Sequence, residues 1–292
     1  MADFIKKILW PTDFSDEAQE AMRHAEQMAK VFKAELTALH VVPDFPSALY
    51  NTTESVKGEL VRRIDVIKQE ALEKLEKIKK AHKANFRSII REGNPAKEIV
   101  KAAEEEPFDL IVMGKKGLSA LEKLFIGSVA NQVLRSSKVP MLLTKKKAKK
   151  LEFDRILVPT DFSKHEEIER DYAWRLAKGF DSELVLLHVL ELHDQQFAPR
   201  VLDEMIESIH KRLSMRKKRE REGIKITEDV VRSLSAELGI VDYAETHNCD
   251  LIVISTCGPG AVERFFLGST TEKVISYSSV PVFALPSRFR RS

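Results

Sequence analysis

The chain repeats itself. Ile8-Leu9-Trp10-Pro11-Thr12-Asp13-Phe14-Ser15 returns as Ile156-Leu157-Val158-Pro159-Thr160-Asp161-Phe162-Ser163, and Leu39-His40-Val41-Val42 returns as Leu187-His188-Val189-Leu190, both 148 positions later. Farther on the shift becomes 141: Asp109-Leu110-Ile111-Val112 against Asp250-Leu251-Ile252-Val253, Phe125-Ile126-Gly127-Ser128 against Phe266-Leu267-Gly268-Ser269, and Val139-Pro140 against Val280-Pro281. Order and spacing agree throughout, so the chain holds two copies of one fold. The second copy has lost seven residues between its second and fourth strands. Copies are expected at 1–146 and 151–292, each long enough to bury its own core. The basic run Lys145-Lys146-Lys147-Ala148-Lys149-Lys150 between them reads as a solvated linker rather than a nucleic-acid patch, since no aromatic residue interleaves it.

Within a copy, short β-branched runs alternate with helical stretches, which implies a parallel sheet with crossover helices. Strands are expected at Lys7–Trp10, Glu35–Val42, Phe86–Glu92, Leu110–Met113 and Val139–Lys145. The first helix should start after Ser15, with Asp16 and Glu17 favouring its dipole. Ser163-Lys164-His165-Glu166 has the capping-box pattern, and Asn94-Pro95 reads as N-cap and first helical position. Glu54 to His82 forms a long charged amphipathic helix whose Leu60, Ile64, Ile67, Leu72 and Leu75 should cover the sheet.

Hydrophobic residues make up 43% of the 292, charged residues 32%, and the net charge is only +3, the balance of a soluble globular protein. Cys249 and Cys257 have no metal-ligand or CxxC spacing and are expected as free thiols. Met1 to Lys7 has no signal-peptide core and no apolar run reaches spanning length, so the cytoplasm is expected and a membrane is not.

Open parallel sheets bind ligands beyond the carboxyl ends of their strands. After the fourth strand come Gly114-Lys115-Lys116-Gly117, nine residues, then Gly127-Ser128 at a helix start. Glycines permit close approach to an anion, and positive φ where a loop needs it. The free N–H groups and dipole of the helix start attract phosphate. Ser128 can donate its hydroxyl, and Lys115 or Lys116 can supply positive charge. Asp13, just past the first strand, can accept hydrogen bonds from ribose hydroxyls, or cap the first helix together with Ser15, or do both.

This loop and the P-T-D-F-S segment resemble the universal stress protein family, whose ATP-binding members carry G-x2-G-x9-G-(S/T), matched by Gly114, Gly117, Gly127 and Ser128. The resemblance covers essentially the whole chain, once per copy. It implies two open five-stranded parallel α/β domains, Rossmann-like and of the adenine-nucleotide-hydrolase type, binding an adenine nucleotide and dimerising through their last strands. It also implies Asp13 at the ribose, and Pro11, Thr12, Val41 and Met113 around the adenosine. Gly114, Lys116, Gly117, Gly127, Ser128, Val129 and Ala130 would surround the phosphates of ATP, ADP or AMP, with Mg²⁺ as companion ion.

The second copy departs from the pattern. Ser255-Thr256-Cys257-Gly258-Pro259 replaces the first glycine with Ser255, whose side chain should intrude on a phosphate, and Pro259 removes a donor. Asp161, Val189, Gly258, Gly268, Ser269 and Thr270 remain as a second-site set that is weakened, altered or vacant. Leu234 stands where copy one has Gly93. His40 and His188 are expected to pack and make one hydrogen bond each. His188, His193 and Asp194 fit no metal-ligand spacing, and Cys257 is expected to be inert.

The leading expectation is an ATP-binding stress-response protein in which occupancy regulates an interaction. The alternatives are slow ATP hydrolysis or phosphotransfer at the same site, or a scaffold whose second copy binds another ligand or a protein. No Walker, pyrophosphatase or triad signature is visible. The copies are expected to form an internal pseudo-dimer with Met141–Thr144 and Val282–Leu285 adjacent, and whole chains to associate further into a homodimer.

Overall fold

The computed structural model describes residues 4–44, 53–117, 126–145, 151–163, 166–192, 198–217, 223–256 and 267–286. Copy one runs β1 (Lys7–Pro11), α1 (Asp16–Phe32), β2 (Glu35–Val42), α2 (Glu54–His82), β3 (Arg87–Glu92), α3 (Pro95–Glu105), β4 (Leu110–Gly114), α4 (Ser128–Ser136) and β5 (Met141–Thr144). Copy two follows as β6 (Arg155–Pro159), α5 (Glu166–Phe180), β7 (Glu183–Glu191), α6 (Pro199–Lys217), β8 (Ile226–Ser233), α7 (Ala236–Thr246), β9 (Leu251–Ser255), α8 (Ser269–Tyr277) and β10 (Val282–Leu285). The residues missing from copy two fall in the crossover between β7 and β8, where α6 has 19 residues against 29 in α2.

All ten strands form one sheet in the order β3-β2-β1-β4-β5-β10-β9-β6-β7-β8. Each copy is parallel throughout, and β5 meets β10 antiparallel in the register Leu143↔Val282, Leu142↔Phe283 and Met141↔Ala284. Leu142 and Phe283 are the same position of the two copies, so a pseudo-twofold axis passes between them, as in an isologous dimer. Pairing satisfies two backbone edges that would otherwise be exposed.

Because strand side chains alternate, each strand feeds two cores. Ile8 and Trp10 face α1 and α2, while Leu9 faces α3 and α4, and both clusters run unbroken into copy two. The α1 side is sealed by aromatic contacts between copies: Phe4 on Tyr172 at 4.6 Å, His24 stacked on Phe153 at 5.8 Å, and Phe32 on Phe180 at 5.8 Å. Trp10 Nε1 donates to the Ala18 carbonyl at 2.9 Å, pinning α1 to β1.

Local signals hold where they are local. Ser15 caps α1 by accepting from the Ala18 N–H, and Asn94 caps α3 by accepting from Lys97 with Pro95 in its first turn. In α2, Ile64, Ala71 and Leu75 are buried but Leu72 is 37% exposed, which corrects its expected place on the sheet. Positions 64, 71 and 75 follow the i, i+3/i+4 stripe, and residue 72 lies about 100° off it. Lys164 and His165 of the proposed capping box lie outside the described residues. No helix among those described is long and apolar enough to cross a membrane.

Candidate nucleotide site

Three segments meet beyond the carboxyl ends of β1, β2 and β4. The first is the turn after β1. The Thr12 N–H donates to the Leu39 carbonyl at 2.9 Å, adding one rung to the β1–β2 ladder. Thr12 Oγ1 then accepts from the Phe14 N–H at 3.1 Å, Asp13 Oδ1 from the Ser15 N–H at 3.0 Å, and Ser15 Oγ from the Ala18 N–H at 3.2 Å. These nested bonds hold Phe14 at φ 67°, a left-handed conformation costly for an aromatic residue. Its ring lies 4.5 Å from that of His40, whose Nδ1 donates to the Thr12 carbonyl at 2.8 Å. Burial holds the His40 pKa below the usual histidine value. The histidine is a packed, neutral brace of the turn, as expected.

The second segment is the loop after β4. The Lys115 N–H donates to the Thr144 carbonyl at 2.8 Å, and the Lys115 carbonyl accepts from the Gly127 N–H at 2.7 Å. The Lys116 N–H donates to Glu17 Oε2 at 2.9 Å. Gly114, Gly117 and Gly127 are all outside the positive-φ region, so of the two properties that glycine offers, this loop does not use the left-handed conformation at these positions. Close approach is what they provide. A Cβ at Gly114 would stand 3.0 Å from the Glu17 backbone, a Cβ at Gly117 would strike the Asp13 carboxylate, and one at Gly127 would stand 3.3 Å from Lys116 Cα. The close approach of Gly114 is to the first turn of α1.

The third segment is the start of α4. Gly127 is its N-cap, and the first-turn N–H groups of Ser128, Val129 and Ala130 have no intrahelical acceptor. Ser128 is exposed there. Val41 and Met113 lie on the face of the sheet that α3 and α4 cover, Ala130 packs there from α4, and Pro11 is buried at the end of β1. The structure thus gathers the predicted residues of copy one at one corner, with Asp13, Gly117 and Gly127 in mutual proximity. Lys115 is the exception among the cations proposed for phosphate. Its side chain turns away into copy two, where Nζ donates to carbonyls at the end of α8.

Copy two rebuilds the first segment closely. Phe162 has φ 60° and lies 4.7 Å from the His188 ring, and His188 Nδ1 donates to the Thr160 carbonyl at 2.8 Å. The Gly268 N–H donates to the Thr256 carbonyl at 2.8 Å, repeating the latch between loop and helix. A cavity of about 530 Å³ opens here, lined by Asp161, Val189, Gly268, Ser269 and Thr270 as expected, and also by Glu169, Ser255 and Thr271. Thr271 Oγ1 donates to the Ser255 carbonyl at 2.7 Å. Gly258, Cys257, Pro259, His193 and Asp194 lie outside the described residues. Cys249 is buried, which raises its thiol pKa to about 11 and leaves it unreactive.

Two carboxylates that the structure brings to the candidate sites were missed by sequence reasoning. Glu17 was read as a helix-dipole residue, and nothing local foretells its bond to Lys116. Glu169 left a signal, because it occupies the position of buried Ala21 on the apolar face of its helix.

The profile of the universal stress protein family matches residues 5–145 and again 152–286. The chain belongs to the universal stress protein family and carries two of its domains in tandem. A universal stress protein of Methanocaldococcus jannaschii is 40% identical over 147 residues, 49% of this chain and 84% of its own length. One from Mycolicibacterium smegmatis is 23% identical over 296 residues, 96% of this chain and 97% of its own. The crystal structure of a universal stress protein from Archaeoglobus fulgidus matches with a TM-score of 0.70 at 29% identity, covering 96% of this chain and 98% of that one.

Proposed function

We propose that copy one binds an adenine nucleotide, ATP above ADP or AMP, and that occupancy regulates the protein's interactions rather than feeding a turnover reaction. The observation that carries this reading is the convergence of the Asp13 carboxylate, the Gly114–Gly117 loop and the open N-terminus of α4. A ribose set against Asp13 would direct its phosphates toward the N–H groups of Ser128 to Ala130, where the helix dipole attracts anions. Pro11, Val41 and Met113 form an apolar wall suited to a base. Lys116 and Ser128 stand nearest the phosphate end and would share it with Mg²⁺.

Hydrolysis is disfavoured by the bonding around the loop. Asp13 and Glu17 both accept backbone N–H groups that shape the site, an assignment that suits positioning better than water activation. In copy two Glu169, Ser255 and Thr271 line the cavity, and Glu169 and Thr271 stand where copy one has Ala21 and Ala130, which adds a carboxylate and a hydroxyl to the lining. That cavity is read as specialised away from polyphosphate.

The test is calorimetric titration of ATP into wild type and Gly127→Val, whose side chain would collide with the Lys115–Gly117 backbone. Wild type should release heat at one site and the variant none. Equal heats from the two, or no heat from wild type, would sink the reading.

A further inference from the structure

Lys115 sits in the middle of the loop of copy one, yet its ammonium belongs to copy two. The residue is 2% exposed. Its Nζ donates to the carbonyl oxygens of Ile275 at 2.9 Å, Ser276 at 2.6 Å and Ser278 at 3.3 Å. Those carbonyls close α8, where backbone acceptors lack intrahelical donors and the helix dipole is negative. An ammonium has three protons and no acceptor, so three carbonyls satisfy it completely.

The main chain of the same residue is fixed as well, to Thr144 on β5 and to Gly127 at the head of α4. One residue therefore joins the phosphate side of the first site to the last helix of the other copy. The brace runs one way. Thr256, the equivalent residue in copy two, keeps both main-chain bonds, to Leu285 and Gly268, but carries no cation to extend toward α4. Burial draws the Lys115 pKa down to about 8, with Lys145 and Lys116 adding to the effect and Glu17 opposing it. A hydrophobic side chain of that length would fill the space without this desolvation cost.

We propose that Lys115 is a positioning residue of the nucleotide loop, holding it open to anions by anchoring it to the end of α8, so that occupancy of copy one is coupled to order in copy two. The inference rests on the nucleotide reading above. Binding that tightens the loop must tighten the α8 terminus, and loosening that terminus must weaken binding, because the coupling is reciprocal.

The experiment is hydrogen exchange on the full chain with and without ATP, followed in peptides covering residues 270–280, beside ATP calorimetry on wild type and Lys115→Met. ATP should slow exchange at the end of α8 severalfold in wild type. In Lys115→Met that response should vanish and ATP affinity should fall roughly tenfold. If wild type binds ATP while the α8 terminus exchanges unchanged, the inference is overturned whether or not the variant folds. A folded Lys115→Met with wild-type affinity and protection overturns it too. Absence of ATP heat from wild type has a different signature and removes the nucleotide reading together with the inference.

Discussion

The two copies share one turn and differ in one loop. After β1 and β6 the chain repeats two nested bonds, threonine Oγ1 accepting from the phenylalanine N–H and aspartate Oδ1 from the serine N–H, holds Phe14 and Phe162 at φ 67° and 60°, and props each ring on a histidine that donates to a threonine carbonyl. After β4 and β9 the backbone latch persists but the side chains diverge, with Gly114 against Ser255 and Lys115 against Thr256. The shared turn is fastened by bonds within a few residues and to the neighbouring strand. The loop borders the candidate nucleotide site and the partner copy, and there the two copies differ in side chain.

Exchanging residues between the copies, or restoring what one has lost, puts that comparison at risk. The largest effect is expected where the copies touch. His24 is fully buried at their boundary, and its pKa is lowered to about 4, mainly by burial, with Glu20 opposing and Arg23 assisting. A lowered folded pKa means stability is intact above the unfolded value near 6.5 and is lost as pH falls from there toward 4, by up to about 3 kcal/mol. Urea titrations at pH 7 and pH 5 should show wild type losing stability that His24→Leu retains. Parallel losses in both proteins would remove His24 as the cause.

Gly114→Ser imports the residue of copy two into a space 3.0 Å from the Glu17 backbone. It should destabilise copy one by about 2 kcal/mol through overpacking, seen as a lower urea midpoint. A midpoint equal to wild type would show that α1 yields freely. Gly117→Ala sets a methyl group against the Asp13 carboxylate and should weaken ATP about tenfold, about 1.4 kcal/mol, by calorimetry. Unchanged affinity would separate Asp13 from the loop.

The smallest effect is expected at the β3–α3 turn. Gly93 has φ +139°, a conformation that suits glycine, whereas Leu234 replaces it in copy two, 75% exposed and outside the positive-φ set. Gly93→Leu should cost about 1 kcal/mol in thermal stability, and Leu234→Gly well under half of that. Equal effects would mean that the two turns are alike after all.

Much of this was legible beforehand. The bounds of β2 and α2 agree with the strand and helix patterns to the residue, and Ser15 and Asn94 cap as their types suggest. What the pattern misjudged is instructive. Leu72 is apolar yet exposed, because only the packed stripe decides which side of a long charged helix is inside. The loop glycines were read as admitting phosphate, and the contact of Gly114 with the first turn of α1 was not foreseen, since a sequence gives no direction to a missing Cβ.

The repeat, the tandem α/β fold class and the adjacency of the two last strands followed from the sequence itself, whereas the order of the ten strands did not. They depend on periodicity, spacing and local hydrogen bonding, which act over a few residues and recur in both copies. The partners of Glu17 and Lys115 and the place of Glu169 were decided only in three dimensions, at separations of 99 residues between Glu17 and Lys116 and 160 or more between Lys115 and α8. Charge alone left each with several equally good partners. The antiparallel meeting of β5 and β10 chose among them, because it carries the end of α8 to the back of the loop in copy one.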